Sequence, residues 1–241
     1  MPRCAPPPAA DQDPRGSVLC SPGTGRRSTV GVGDTGRVRA RLERAAIERA
    51  ERITDRIGRH VRAAGRVLDV GSGTGHNAAA LRASTGLDVV ETDVVDMHVV
   101  GAGPVLCADG VLPFADDAFG AALVLQVLQF PADPAAVLAE AARVAPRVLV
   151  LQSTTGGIPG PAALVLRGFL FGRLAFQLSR LVGFIDSGMS AGVALHVRRV
   201  LSRDDVRAAA RAASLTEIAF EPDRSPVPFG GHDLFVFERA R

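Results

Sequence analysis

Three glycines at alternate positions, Gly71, Gly73 and Gly75, follow the apolar run Val67–Val70 and stand just ahead of a helical stretch. A strand that ends in glycines and turns straight into a helix gathers backbone N–H groups and the positive helix end at one point, with no side chain in the way of a ligand. The spacing selects among ligands. A dinucleotide fingerprint, GxGxxG, needs its third glycine three positions after the second, where this chain has His76. A nicotinamide or flavin pyrophosphate is therefore disfavoured. Asp93 closes the second apolar run, 22 residues after Gly71, where a carboxylate can accept hydrogen bonds from ribose hydroxyls. Asp109 and Gly110 close the third. Each acid also has a local reading: Asp69 as a cap or local pair, Asp93 as a turn residue, Asp109–Gly110 as a turn pair.

The elements that must position these residues follow from periodicity. Between Arg37 and Ala64 the apolar residues Val38, Leu42, Ala46, Ala50, Ile53, Ile57 and Val61 recur every three or four positions, which predicts one amphipathic helix with Asp34 or Thr35 as its cap. Short runs rich in branched residues then alternate with helical stretches. Strands are expected at Val67–Val70, Leu87–Glu91, Val105–Ala108, Ala121–Gln126 and Val148–Gln152, and helices at Asn77–Ala83 and Pro134–Val144. That alternation predicts a parallel sheet covered on both faces. Ser202 opens a further helix with Asp205 three residues on, an acidic variant of the capping box. Leu215–Glu221 and Leu234–Glu238 read as a closing pair of strands.

The core from Arg66 to Ser153 resembles the class I S-adenosylmethionine-dependent methyltransferases, in particular a group whose core reads roughly VLDxGxGTG, then an acid after strand two, then DxxxLPFxDxxF before strand four. Here these appear as "VLDVGSGTG", Asp93 and "DGVLPFADDAF". The resemblance implies an α/β, Rossmann-like, doubly wound sheet of seven strands, mostly parallel with the last antiparallel, and S-adenosyl-L-methionine as cofactor. It implies that Gly71, Ser72, Gly73 and Gly75 pass close to the methionine and ribose, with Asp69 holding the methionine end. Asp93 would then bind the ribose hydroxyls, Asp109 the adenine amino group with Gly110 beside it, and Gln126 would lie along the cofactor floor. The domain layout expected is a basic tail over 1–36, an N-terminal helix over 37–65, a cofactor-binding core over 66–155, a helical cap over 156–200 and a closing helix and strand pair over 201–241.

Methyl transfer from a sulfonium is an in-line displacement, so the protein mainly has to align an acceptor behind the methyl group. Where an acceptor hydroxyl must lose a proton, histidine suits the task. His76, His98, His196 and His232 fall in predicted loops or helix starts on the ligand side of the sheet. His196 and His232 rank first as catalytic candidates, because segments after strand five shape the acceptor pocket in this family. A surface or structural role is the competing reading for each.

The stretch from Gly160 to Ile185 is nearly apolar. Arg173, Gln177 and Arg180 mark one polar stripe, and Leu164, Phe171, Ala175, Leu178 and Val182 mark the opposite face. Three arginines argue against an integral span, at about 2.5 to 3.5 kcal/mol each near a bilayer centre. A cap over a hydrophobic small-molecule acceptor is the first reading. A peripheral membrane helix and an oligomer contact are the others.

Arginine supplies every basic residue other than histidine, and the 28 are unevenly spread: residues 1–66 hold 14 against 7 acids, and residues 67–158 hold 3 against 10. A basic arm ahead of an acidic core suits nucleic acid, anionic lipid or an acidic partner, or simply a solvated helix face. A nucleic-acid or protein methyltransferase is one rival reading. Against the nucleic-acid version, "LQVLQF" lacks the Asn/Asp-Pro-Pro-aromatic signature of many amino-directed enzymes, and no aromatic platform for stacked bases is present. A noncatalytic S-adenosylmethionine-binding partner protein is the other rival. Cys4, Cys20 and Cys107 are odd in number and widely spaced, which suggests neither a disulfide framework nor a metal site and fits a cytoplasmic setting.

Overall fold

The computed structural model describes residues 32–108, 110–154, 199–223 and 232–240. Helix α1 spans Val32–Val61, followed by β1 (Arg66–Val70), α2 (His76–Thr85), β2 (Asp88–Asp93), β3 (Val105–Leu106), β4 (Ala121–Leu125), α3 (Pro134–Val144), β5 (Arg147–Ser153), α4 (Arg203–Ala212), β6 (Leu215–Glu221) and β7 (His232–Arg239). The seven strands form one sheet in the order β3-β2-β1-β4-β5-β7-β6. Pairs among β1 to β5 are parallel, and β7 runs antiparallel to both β5 and β6.

Burial on both faces explains why the central strands are continuous apolar runs rather than alternating ones. β4, AALVL, is buried at every position. Leu68, Val70, Ala122, Val124, Val148, Val150, Phe235 and Phe237 pack on the α3 and α4 side. Val67, Ala121, Leu123, Leu149, Leu151, Leu234 and Val236 pack on the other side with Ile53, Ile57 and Val61 of α1 and Ala78 and Leu81 of α2.

Helix α1 starts five residues before the position expected from its apolar period, so Asp34 and Thr35 lie inside it rather than capping it. Only its second half is core: Ala50, Ile53, Ile57 and Val61 are buried, whereas Leu42 is 42% exposed. α3 has the predicted limits, with Asp133 accepting from Ala135 N at 2.9 Å and Pro134 in the first turn. The Ser202 capping box is formed in both directions: the Ser202 hydroxyl accepts from Asp205 N, and the Asp205 carboxylate accepts from Ser202 N at 2.8 Å. β7 begins two residues earlier than expected, which makes His232 a strand residue.

The expected tail up to residue 31, Asp109, the expected cap over 156–198 and His196 lie outside the described residues. Thr154 and Leu201 form a parallel bridge, so the chain leaves the described fold beside the end of β5 and re-enters it at the same place. No helix among the described residues is long and apolar enough to cross a membrane.

Candidate functional site

The site lies beyond the carboxyl ends of the parallel strands, the usual ligand side of such sheets. Its centre is the turn from β1 into α2. Gly71, Gly73 and Gly75 all have positive φ, at 72°, 57° and 82°. Their roles differ. A Cβ on Gly75 would sit 2.4 Å from Val100 O, and one on Gly71 would sit 2.6 Å from Val127 Cγ2, so these two glycines let neighbouring segments close on the turn. A Cβ on Gly73 would meet nothing within 4 Å. That glycine leaves an open face, backed by an α2 N-terminus that has no side-chain cap and so keeps its positive end available.

Asp93, at the end of β2, is buried and ties this turn together. Its Oδ2 accepts from Gly73 N at 2.8 Å, and its Oδ1 accepts from Val94 N at 2.7 Å and Val95 N at 3.3 Å. A carboxylate offers about four lone-pair sites, so one remains for a ligand hydroxyl. Asp93 thus does the work of a turn residue and still has the capacity expected for ribose. Val94, Val95, Leu106 and Val111, around the ends of β2 and β3, leave apolar side chains exposed.

Asp69 is the most unusual group in the site. It is 1% exposed, and neither carboxylate oxygen has a hydrogen-bond partner among the described residues. Burial, with Glu91 and Asp93 nearby, pushes its pKa up to about 7 despite the opposing pull of Arg82. Glu91, also buried, is answered by Arg82 Nη1 at 2.9 Å. His98 Nδ1 lies 3.6 Å from the other Glu91 oxygen, an ion-pair distance rather than a hydrogen bond, and His98 Nε2 meets Ser72 Oγ at 3.0 Å. The segment after β2 is held over the turn by Val99 N and Val100 N, which both donate to Thr74 O. Three carboxylates against one arginine give a site suited to a cationic ligand and hostile to a pyrophosphate. S-adenosylmethionine, with an ammonium and a sulfonium, fits this donor and charge set: the unpartnered Asp69 carboxylate matches the methionine end, and the open Gly73 backbone matches close approach of the ligand.

The loop that carries "LPFADDAF" is fixed from below by α3. Arg143 donates to Phe114 O at 2.8 Å, Leu112 O at 2.9 Å and Asp116 Oδ1 at 2.8 Å, while Glu140 Oε2 accepts from Leu112 N at 3.1 Å. Phe114 and Phe119 pack edge to face with centroids 4.9 Å apart. Hydrogen bonds to Glu140, then to Asp116, raise the Arg143 pKa, and the Arg143 hydrogen bond holds Glu140 below its ordinary value. Gly110 follows Asp109 with φ of 76° and open space at its Cβ position.

A second cluster forms where β4, β5 and β7 end. Gln126 adopts a left-handed backbone, φ 62°, held by its N–H donating to Leu151 O at 2.7 Å. Its side chain reaches across the sheet edge: Nε2 lies 3.0 Å from His232 Nδ1, and Oε1 accepts from Ser153 Oγ at 3.1 Å. Ser153 Oγ is 2.9 Å from His232 Nδ1. Next to this trio, Asp233 accepts from Arg203 Nε at 2.7 Å, Arg203 Nη2 at 3.1 Å, Asp223 N at 2.9 Å and the Thr154 hydroxyl. Burial alone would raise the Asp233 pKa, but Arg203, Thr154 and the Asp223 N–H together hold it low.

The structure therefore brings Asp69, Gly71, Ser72, Gly73, Gly75 and Asp93 into one turn and Gln126 and His232 into a neighbouring cluster. His76 Nδ1 bonds Thr74 Oγ1 at 2.8 Å at the start of α2, and the His98 ring, with a side chain 5% exposed, lies between Glu91 and Ser72. Sequence reasoning missed Glu91, Arg143, Ser153 and Asp233. Only Glu91 gave a signal, as a charged residue inside an otherwise apolar strand.

Comparisons with known proteins agree with this geometry. Residues 68–147 match the family model described as "Methyltransferase domain". No curated protein sequence matches. Among solved structures, a geranyl diphosphate methyltransferase in complex with SAM is 14% identical, with 89% of this chain and 93% of that chain covered at a TM-score of 0.56. The Burkholderia thailandensis 1,6-didemethyltoxoflavin-N1-methyltransferase, with bound 1,6-didemethyltoxoflavin and S-adenosylhomocysteine, is 16% identical over 92% of this chain and 94% of that one, TM-score 0.54. The [4+2]-cyclase SpnF is 17% identical over 78% and 80%, TM-score 0.54. At these identities the structural likeness is one of fold.

Proposed function

We propose that this chain, a class I S-adenosylmethionine-dependent methyltransferase, moves the methyl group to a small hydrophobic acceptor. The observation that carries the cofactor half is the buried, partnerless Asp69 carboxylate beneath the open Gly73 turn. When bound, S-adenosylmethionine supplies the electrophilic methyl group. Asp69 would hold the methionine end, Asp93 the ribose hydroxyls through its remaining lone pair, and Asp109 with Gly110 the adenine edge. Ser72 shapes the turn through His98, and Gln126 stands at the floor beside it.

The acceptor half rests on placement. Thr154 and Leu201, the described residues flanking the Phe- and Leu-rich stretch of sequence, pair with each other at the end of β5. The two methyltransferases compared above carry small-molecule names, which supports a small acceptor here. His232 is the described candidate to act on an acceptor proton, with His196 as the second. Because displacement at a sulfonium needs alignment more than acid–base assistance, the protein's task is to exclude water and position the acceptor in line. Widely spaced, odd-numbered cysteines suit a cytoplasmic enzyme.

The test is turnover: the purified chain, labelled S-adenosylmethionine and a panel of apolar small molecules, with S-adenosylhomocysteine as the readout. Product with an apolar acceptor supports the reading. Product only with RNA, DNA or protein supports the rival suggested by the basic arm, and cofactor binding with no product from any of these supports a noncatalytic binding role. The cyclase fold-mate makes the turnover measurement necessary, since the fold alone does not fix the reaction.

A further inference from the structure

We infer that Gln126 sets the tautomer of His232, and so decides whether that ring is a hydrogen-bond donor or a base. The inference rests on the reading of His232 as the group that meets the acceptor, and it adds two positioning residues, Gln126 and Ser153.

The geometry is a closed triangle. Gln126 Nε2 is 3.0 Å from His232 Nδ1, Ser153 Oγ is 2.9 Å from the same nitrogen, and Ser153 donates its hydroxyl proton to Gln126 Oε1 at 3.1 Å. An amide NH2 can only donate. Nδ1 must then present its lone pair to Gln126, and the neutral ring carries its proton on Nε2. Ser153 donates its hydroxyl proton to Gln126 Oε1, which favours the amide orientation that donates to the ring.

A ring in that state meets an acceptor as a donor from Nε2, and it becomes a base at Nε2 only when its proton sits on Nδ1. Protonation there would set Nδ1–H against the amide NH2. The conflict is relieved if the amide turns to offer Oε1 to Nδ1–H while its NH2 donates to Ser153 Oγ. The trio therefore has two self-consistent hydrogen-bond arrangements, one for each state of the ring.

Each corner is fixed independently. Gln126 sits in a left-handed backbone conformation, which a residue with a side chain adopts only when its surroundings hold it there, and its N–H to Leu151 O secures it. Ser153 and His232 are register partners on β5 and β7. Arg56 of α1 donates to His232 O at 2.6 Å and to Glu221 O at 3.1 Å, which anchors the start of β7.

The test is ring nitrogen NMR on the full chain labelled with 15N, the His232 signals being assigned by their loss in His232→Gln. In the wild type above the ring's ionisation, Nδ1 is expected to be pyridine-like and Nε2 protonated. Gln126→Glu presents only acceptors, so it should move the proton to Nδ1 and raise the pH at which the ring titrates. Gln126→Leu, close in volume and without polar atoms, should leave a mixture of tautomers and keeps the test open if the Glu variant does not fold. A wild-type ring protonated at Nδ1, or a tautomer unchanged in the folded variants, overturns the proposal. Because the tautomer is read without cofactor or acceptor, its failure is separable from failure of the methyl-transfer reading. With an acceptor in hand, Ser153→Ala, which removes the hydroxyl that orients the amide, should lower kcat about 10-fold while the KM for S-adenosylmethionine stays within about 2-fold. An equal loss in both would mark a merely structural role and overturn the proposal.

Discussion

Asp69 and Glu91 are register partners on adjacent parallel strands, both buried, and only Glu91 has an arginine answering its charge. Two acids placed side by side in a core are costly unless a cation arrives or one of them stays protonated. Asp69 holds its proton to higher pH than an ordinary carboxylate, with a pKa pushed up to about 7 by burial first and by Glu91 and Asp93 next.

Stability without cofactor should therefore respond to pH at this residue. The folded pKa lies above the unfolded value near 3.8, so the folded state holds the proton more tightly, and stability falls as pH rises from about 4 to about 7. Asp233, Glu140 and Glu221 are shifted down and contribute in the opposite sense, losing stability at acid pH. The difference between wild type and Asp69→Asn cancels those contributions. Thermal melts of the two proteins should differ least near pH 4 and most above pH 7, where the variant melts higher. A difference that is constant with pH would contradict the assignment.

Cofactor affinity should carry the same proton. In the proposed role of Asp69, bound S-adenosylmethionine favours the ionised carboxylate, so affinity should rise between pH 6 and 8 and protons should be released, as read by calorimetry in buffers of different ionisation enthalpy. Asp69→Asn should flatten both dependences.

Gly73 and Gly75 should separate binding from folding. Gly75→Ala places a Cβ 2.4 Å from Val100 O at a φ of 82° and should cost about 1–3 kcal/mol of stability. Gly73→Ala meets no protein atom. It should cost less stability, carrying the left-handed penalty of about 1–2 kcal/mol without a clash, yet weaken S-adenosylmethionine by 10-fold or more. Equal losses of affinity at equal stability would mean that the open face over Gly73 is not where the ligand lies.

Arg143 should matter to ligand binding through the loop it holds. Arg143→Met removes donors from Leu112 O, Phe114 O and Asp116, a loss of about 1–3 kcal/mol for a charged donor set. It should also lower cofactor affinity through the loop that begins at Asp109. Unchanged melting and affinity would show that the loop holds its shape without α3.

Much of this was legible in the sequence, for reasons particular residues make plain. The parallel strands announced themselves because both faces are buried, and α3 because Asp133–Pro134 is an unambiguous start. α1 begins five residues ahead of its expected start because no apolar repeat marks its first turn, and a helix passes through Gly36 at a cost of only about 1 kcal/mol. The glycine turn and Asp93 were visible through spacing. The trio of Gln126, Ser153 and His232 was not, because it is assembled by the pairing of β5 with β7 across 79 positions, and nothing local in the chain encodes that contact. Asp233 was hidden for the same reason, since its arginine comes from α4.

Calorimetric titration of the purified chain with S-adenosylmethionine tests the central claim most directly, with Asp93→Ala and a nicotinamide dinucleotide as the two controls. The acidic glycine turn predicts saturable binding of the sulfonium, at least 10-fold weaker in Asp93→Ala, and no binding of the pyrophosphate. Absence of any heat with S-adenosylmethionine at millimolar concentration, or tight binding of the dinucleotide, would contradict it.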